Sequence, residues 1–293
     1  MSRLASVILS NSVQTITLPV YGGKPSDQYI LIGADGLGPP EVDVTFGQSV
    51  YRGGIYQGSV PKDREIVLLV GLNPLWLSQS PKTPAILRAA FYTLMSGSDP
   101  VVITLNNIPS APLDYVPDVL KTSGYIRRIE IAPFSKEPQV QVTIGCPSPY
   151  LESTVVTDVA VSSDPTLDPI IVNYDGTAIC GFEMDFVTDM AGSSIRLRSQ
   201  VASAPSENLV FPGNRVTGET FQVNTNSTGR KVYWYSAGSS ASGNITGMCS
   251  LTPAGIWPSL HPGQNTIFIR DGSGPIIRVK TTKFRYTAKY WGI

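Results

Sequence analysis

Trp257-Pro-Ser-Leu-His-Pro-Gly-Gln-Asn-Thr-Ile-Phe-Ile-Arg270 contains a tight turn and the strand that leaves it. Pro258 and Pro262 fix the chain, Gly263 can take a positive φ, and the Asn265 side chain can bond the turn backbone. Trp257 gives the turn an apolar anchor, and Thr266 to Arg270 reads as a short strand. The same unit, a β-branched and aromatic run closed by a turn, recurs upstream. Its strands are Thr177 to Phe186, Ser194 to Arg198, Thr220 to Asn224 and Lys231 to Tyr235, with Pro275 to Tyr286 following Asp271-Gly-Ser-Gly274. No helical pattern interrupts them. This spacing predicts a β-sandwich of the jelly-roll sort for the second half.

The first half also reads as strands: Tyr29 to Ile32, Glu41 to Phe46, Arg64 to Val70, Val101 to Leu105, Gly124 to Ile131 and Gln139 to Ile144. Met1 to Val20 alternates in the same way. One helix is predicted, Pro84 to Met95. Thr83 is placed as N-cap, and Pro84 stands at the first helical position, where a missing donor costs nothing. Ile86, Leu87, Ala90, Phe91 and Leu94 share a face at helical spacing, and Gly97 is a natural stop. A single amphipathic helix among strands most simply covers a sheet face or its open end. Gly47 to Lys62 reads as a long hairpin or loop outside the core. The fold is thus expected to be mainly β, with a helix-bearing N-terminal domain over 1–150 and a C-terminal sandwich over 151–293. The boundary falls near Cys146-Pro-Ser-Pro-Tyr-Leu151, with Ser162 to Pro169 as the other candidate linker.

Only 15% of the 293 residues are charged, and 22 basic residues balance 22 acidic ones. No overall field draws such a chain to nucleic acid or to an acidic membrane, and little self-repulsion opposes association. No window approaches the roughly 20 apolar residues of a spanning helix, and no signal segment is visible, so neither export nor anchoring is expected. Cys146, Cys180 and Cys249 are an odd set without C-x-x-C spacing; they read as buried small hydrophobes, with no disulfide framework and no zinc site.

Bond-making chemistry is hard to place, and no enzymatic activity or cofactor is expected. The single histidine, His261, lies in a turn, and the chain has no G-x-S-x-G elbow and no P-loop. Gly36-Leu-Gly38 is followed by two prolines, which cannot open a phosphate-binding helix. Glu183 and Asp185 would share one strand face, as glycosidase acids do, but Phe182, Met184 and Phe186 make the opposite face an ordinary core. Trp234 and Trp257 are candidates for a glycan platform, the property of a carbohydrate-binding adhesin. Arg278 to Lys289 mixes cations with aromatics; it reads as a charged edge strand facing a neighbouring subunit rather than a nucleic-acid site.

Three motifs in order resemble the distal tail proteins of long-tailed bacteriophages. The first is Arg52-Gly-Gly-Ile-Tyr-Gln-Gly-Ser-Val-Pro-Lys running into the strand Arg64 to Val70. The second is Asn173-Tyr-Asp-Gly-Thr-Ala178, similar to the family's N-x-G-x-A opening of the C-terminal domain. The third is Thr220 to Thr225, Gly229 to Val232, then the Trp257 to Thr266 turn. The resemblance implies a virion protein, made in the host cytoplasm and placed at the distal end of the tail. It implies an N-terminal domain that closes a six-membered ring and a lectin-like, galectin-like domain pointing outward. The implied partners are copies of itself, the tail tube protein, the tail-tip hub protein and receptor-binding proteins. Ring contacts are expected from the glycine-rich segment, through Tyr51, Arg52, Tyr56 and Lys62.

Overall fold

The computed structural model describes residues 4–20, 27–48, 54–73, 82–95, 99–107, 119–131, 138–162, 164, 169–189, 191, 195–201, 204–239, 242–253, 255–271 and 276–293. The chain forms two compact units, Met1–Thr154 with Tyr290–Ile293, and Val155–Lys289. The path therefore leaves the first unit once and returns to it with its last four residues.

The first unit is built from β1 (Leu4–Ser10), β2 (Thr15–Pro19), β3 (Tyr29–Asp35), β4 (Val42–Gln48), β5 (Gly54–Pro61), β6 (Arg64–Leu72), α1 (Pro84–Met95), β7 (Val101–Asn107), β8 (Val119–Ile131) and β9 (Gln139–Cys146). The alternation in the N-terminal stretch is two strands, not one: Asn11 accepts from the amides of Val13 and Gln14 and turns β1 into β2. Strand pairs run β2-β1-β7-β8-β9-β6-β3, and a parallel bridge from Val20 to Leu31 brings β2 back beside β3. Among the described residues the strand order thus returns on itself through that bridge, so the two end strands of the path stand side by side. Val7, Leu9, Ile16, Leu18, Ile66, Leu68, Ile103 and Val142 fill the interior.

Helix α1 begins where its sequence demands. The Ile86 amide donates to Thr83 Oγ1 at 3.3 Å, as an N-cap requires. Leu87, Phe91 and Leu94, at i, i+4 and i+7, are buried, whereas Ile86, expected on that face, is exposed. Phe91 meets the Tyr29 ring edge-on at 5.5 Å, and Tyr29 Oη donates to Leu87 O. The proposed stop, Gly97, lies outside the described residues.

Arg64 opens β6 at 2% exposure. Its guanidinium donates to the carbonyls of Gly36, Gly38, Pro149 and Trp291 at 2.5–3.0 Å. Three distant chain segments of this unit are thereby held by one side chain, the returning C-terminus among them. Gly36 has φ +77°, and a Cβ there would meet Glu65 O at 1.8 Å, so the turn admits only glycine.

Strand β10 (Leu151–Asp158) leads into the second unit, followed by β11 (Ile170–Tyr174), β12 (Phe182–Thr188), β13 (Ile195–Val201), β14 (Ala204–Val210), β15 (Thr220–Asn224), β16 (Lys231–Tyr235), β17 (Ser242–Asn244), β18 (Ser250–Thr252), β19 (Gly263–Asp271) and β20 (Val279–Tyr290). One sheet has the order β17-β16-β15-β12-β20-β10 and the other β11-β19-β13-β14-β18. Their inner faces meet as a sandwich. Phe186 on β12 stacks on Phe221 at 5.1 Å, and both contact Phe211, which follows β14, at 6.0 and 4.9 Å. Strand β20, expected at an edge, lies between β12 and β10. Two of its cations, Lys283 and Arg285, pair across the strands with Glu183 of β12.

Candidate functional site

Strands β4 and β5 form a separate two-stranded arm between β3 and β6. Val42, Val44 and Phe46 alternate onto one face and oppose Pro61, Ser59 and Tyr56. Phe46 and Tyr56 meet edge-on at 6.4 Å yet stay 63% and 59% exposed; Val60, opposite Asp43, is 68% exposed. At the base, Lys62 pairs with Asp43 at 3.1 Å and Glu41 at 3.3 Å, and these two carboxylates raise its pKa. A two-stranded hairpin is marginal in water by itself, and solvated apolar side chains on both faces are best explained by a partner surface.

Of the four residues expected at an assembly contact, Tyr56 and Lys62 lie on this arm, while Tyr51 and Arg52 fall outside the described residues. Sequence reading missed Val44, Phe46 and Val60. Val44 and Phe46 alternate like residues of any core strand, Val60 stands in the segment expected outside the core, and their exposure is what marks all three.

In the second unit the Trp257–Thr266 turn is a closed polar knot. Asn265 is fully buried; its Nδ2 donates to the carbonyls of His261 at 2.7 Å and Gly263 at 2.9 Å, and its Oδ1 accepts from the His261 amide at 2.9 Å. Gly263 has φ +96°. Glu207 on β14 fastens the same turn: Oε2 accepts from Ser259 N and Oγ at 2.8 and 2.6 Å, and Oε1 lies 3.1 Å from His261 Nε2. Serine and histidine both bond to the carboxylate, and no Ser259–His261 bond is formed. A nucleophile–base relay needs that missing bond; the set as built locks a turn.

Glu183 and Asp185 do share the outer face of β12, with Phe182, Met184 and Phe186 buried behind them. Glu183 lies 2.8 Å from Lys283 and 2.7 Å from Arg285 on β20. Burial pushes its carboxyl up, but these two cations outweigh burial and hold it below the ordinary range. Burial raises Asp185, opposed by Lys283. Among the described residues, no group of three or more His, Cys, Asp or Glu could hold a metal ion.

Trp234 and Trp257 are half-buried, and a guanidinium sits over each ring: Arg215 at 5.5 Å and Arg230 at 5.9 Å. Each guanidinium occupies one face of its ring, which leaves a stacked sugar only the opposite face. Cys146, Cys180 and Cys249 form no disulfide. Cys249 is only half-buried, against the expectation of a core position; burial nonetheless raises the Cys146 and Cys249 thiols to about 11, so neither is an activated nucleophile.

A closed β-domain with one helix, followed by a two-sheet sandwich, has a counterpart among solved structures. The chain is similar to the SPP1 Dit (gp 19.1) protein, a hub adsorption apparatus protein of Gram-positive infecting phages. The TM-score is 0.53 at 16% identity, over 97% of this chain and 98% of that one. The fold is that of SPP1 Dit. Chains of the phage P2 baseplate in its activated conformation also align. With Ca the TM-score is 0.43 and with Sr 0.40, each at 7% identity over 98% of this chain and 99% of the other. No protein-family model and no curated protein matches the sequence. The SPP1 Dit likeness spans both units, so the order of the two units is shared along with each one's architecture.

Proposed function

We propose that this chain is a structural subunit of a long-tailed phage tail tip, in which copies of the first unit close a ring, as the sequence motifs imply, with six members. In that position it joins the tail tube to the hub and to host-binding proteins, and it performs no catalytic step. The Dit fold across nearly the whole chain supports this setting, and so do the family motifs in the same order. The observation that carries the ring reading is the β4–β5 arm, with Val44, Phe46, Tyr56 and Val60 exposed and, among the described strands, β4 and β5 paired only with each other. Burying such side chains against a sister subunit yields about 1.5–3 kcal/mol for each large one. The non-catalytic reading is supported by acids that are already engaged, Glu183 by two cations and Glu207 by the turn.

The test is the mass of the purified full chain by light scattering and native mass spectrometry. A closed oligomer is expected for the wild type, and Phe46→Ala with Tyr56→Ala should shift it toward monomer at least tenfold in midpoint concentration, equivalent to about 1.4 kcal/mol. Circular dichroism should stay unchanged, because both residues lie outside the core. A wild type that stays monomeric at high concentration would sink the ring; an unchanged oligomer in the double variant would reject the arm as its contact.

A further inference from the structure

We propose that Arg196, Arg198 and Arg270 form a phosphate-binding site on the outer face of the β13–β19 strand pair, a role separate from assembly through the arm. The three alternate with the buried residues Ile195 and Leu197 on β13 and Ile267 and Ile269 on β19, so all three point away from the sandwich core. Arg196 stands directly opposite Arg270, and Arg198 directly opposite Phe268. Directly opposed residues lie about 5 Å apart at Cα, so the cations share one small patch. The Phe268 ring spaces two of them, with the Arg198 guanidinium 5.4 Å and the Arg270 guanidinium 4.9 Å from its centroid.

Three further facts separate this patch from an ordinary solvated face. No carboxylate among the described residues pairs with any of the three; the single polar contact made by a guanidinium is Arg198 Nη2 to Ser206 Oγ at 2.6 Å. Their Nε–H groups are shielded from solvent and donate to nothing. Burial, with the adjoining charges of Arg270 and Arg196, lowers the Arg198 pKa. Like charges set opposite one another are unfavourable, and an unused buried donor costs further. An anion held by the outward-facing guanidinium Nη groups supplies the missing counter-charge.

The number of oxygens selects phosphate. A carboxylate offers two coplanar oxygens, which match one guanidinium fork. Three guanidiniums borne on two strands call for a ligand with three oxygens pointing in different directions and close to two negative charges, which a phosphate monoester carries near neutral pH.

The experiment titrates the full chain with inorganic phosphate, glycerol phosphate and glutarate by calorimetry, and follows the unfolding midpoint in each. Inorganic phosphate and glycerol phosphate should bind with similar affinity and raise the midpoint, glutarate at least tenfold more weakly. Arg196→Gln with Arg270→Gln should weaken phosphate roughly tenfold or more. Arg198→Lys, which keeps the charge but loses the fork, should give an intermediate loss. Unfolding in phosphate-free buffer checks that the variants are folded. Glycerol phosphate binding where inorganic phosphate does not would overturn the site as a reader of the phosphate group itself. So would glutarate bound as tightly as phosphate, unchanged affinity in the folded double variant, or no binding by the wild type up to roughly 10 mM.

Discussion

Replacing Asn265 by Ala removes three hydrogen bonds at a fully buried position and leaves the His261 amide and the carbonyls of His261 and Gly263 without their partner. At about 1 kcal/mol net for each neutral bond, with an added penalty for orphaned backbone groups, the cost is about 2–4 kcal/mol. The loss falls on the second unit, because the turn feeds β19, which pairs with both β11 and β13. Urea unfolding followed by tryptophan fluorescence reads it through Trp257, at the start of the same turn. With a slope of about 1–3 kcal/mol per molar, the midpoint should fall by roughly 1–2 M. Asn265→Asp keeps the acceptor for the His261 amide but sets a carboxylate against two carbonyl oxygens, so it should be no milder than Ala. An unfolding free energy for Asn265→Ala within about 0.5 kcal/mol of the wild type, as for a surface substitution, would refute the claim that the side chain holds this turn.

Two further outcomes concern single charged groups. Arg64→Met should destabilise the first unit by about 3 kcal/mol, since four part-buried carbonyls lose their donor at once. The Ile293 amide, bonded to Leu37 O at 3.1 Å beside the Trp291 carbonyl that Arg64 holds, should lose its hydrogen-exchange protection; unchanged protection would show that the C-terminus is fastened by other contacts. For Glu183 the sign follows from its lowered folded pKa: its ion pairs contribute above the unfolded carboxyl pKa and are lost as pH falls through the folded one. Glu183→Gln should therefore be less stable than wild type at neutral pH by at most about 1 kcal/mol, with the gap closing in acid. Urea melts from pH 7 to pH 3 test this, and a gap independent of pH would assign it to packing.

The chain's local chemistry determined a good deal without any fold. Thr83-Pro84 and the Leu87, Phe91, Leu94 spacing specify where α1 starts and which side it buries. Alternation picks out β6, β9, β15 and β16, and Gly263 with Asn265 encodes a turn whose bonds close within five residues. Each of these is a contact between near neighbours, so residue type and spacing suffice.

What alternation could not decide was which strand lies beside which. Val42, Val44 and Phe46 carry the same pattern as the core strands, yet they stand on an arm; Arg278 to Lys289 resembles an edge, yet β20 is flanked on both sides. Arg64 shows no local sign of burial, because its four acceptors come from segments as far away as Trp291. Glu207 is equally silent until β14 is set beside the turn more than fifty residues later. Strand order and buried polar pairing depend on contacts made across the whole chain, where many strands of equal periodicity compete as partners and only the packed structure selects among them.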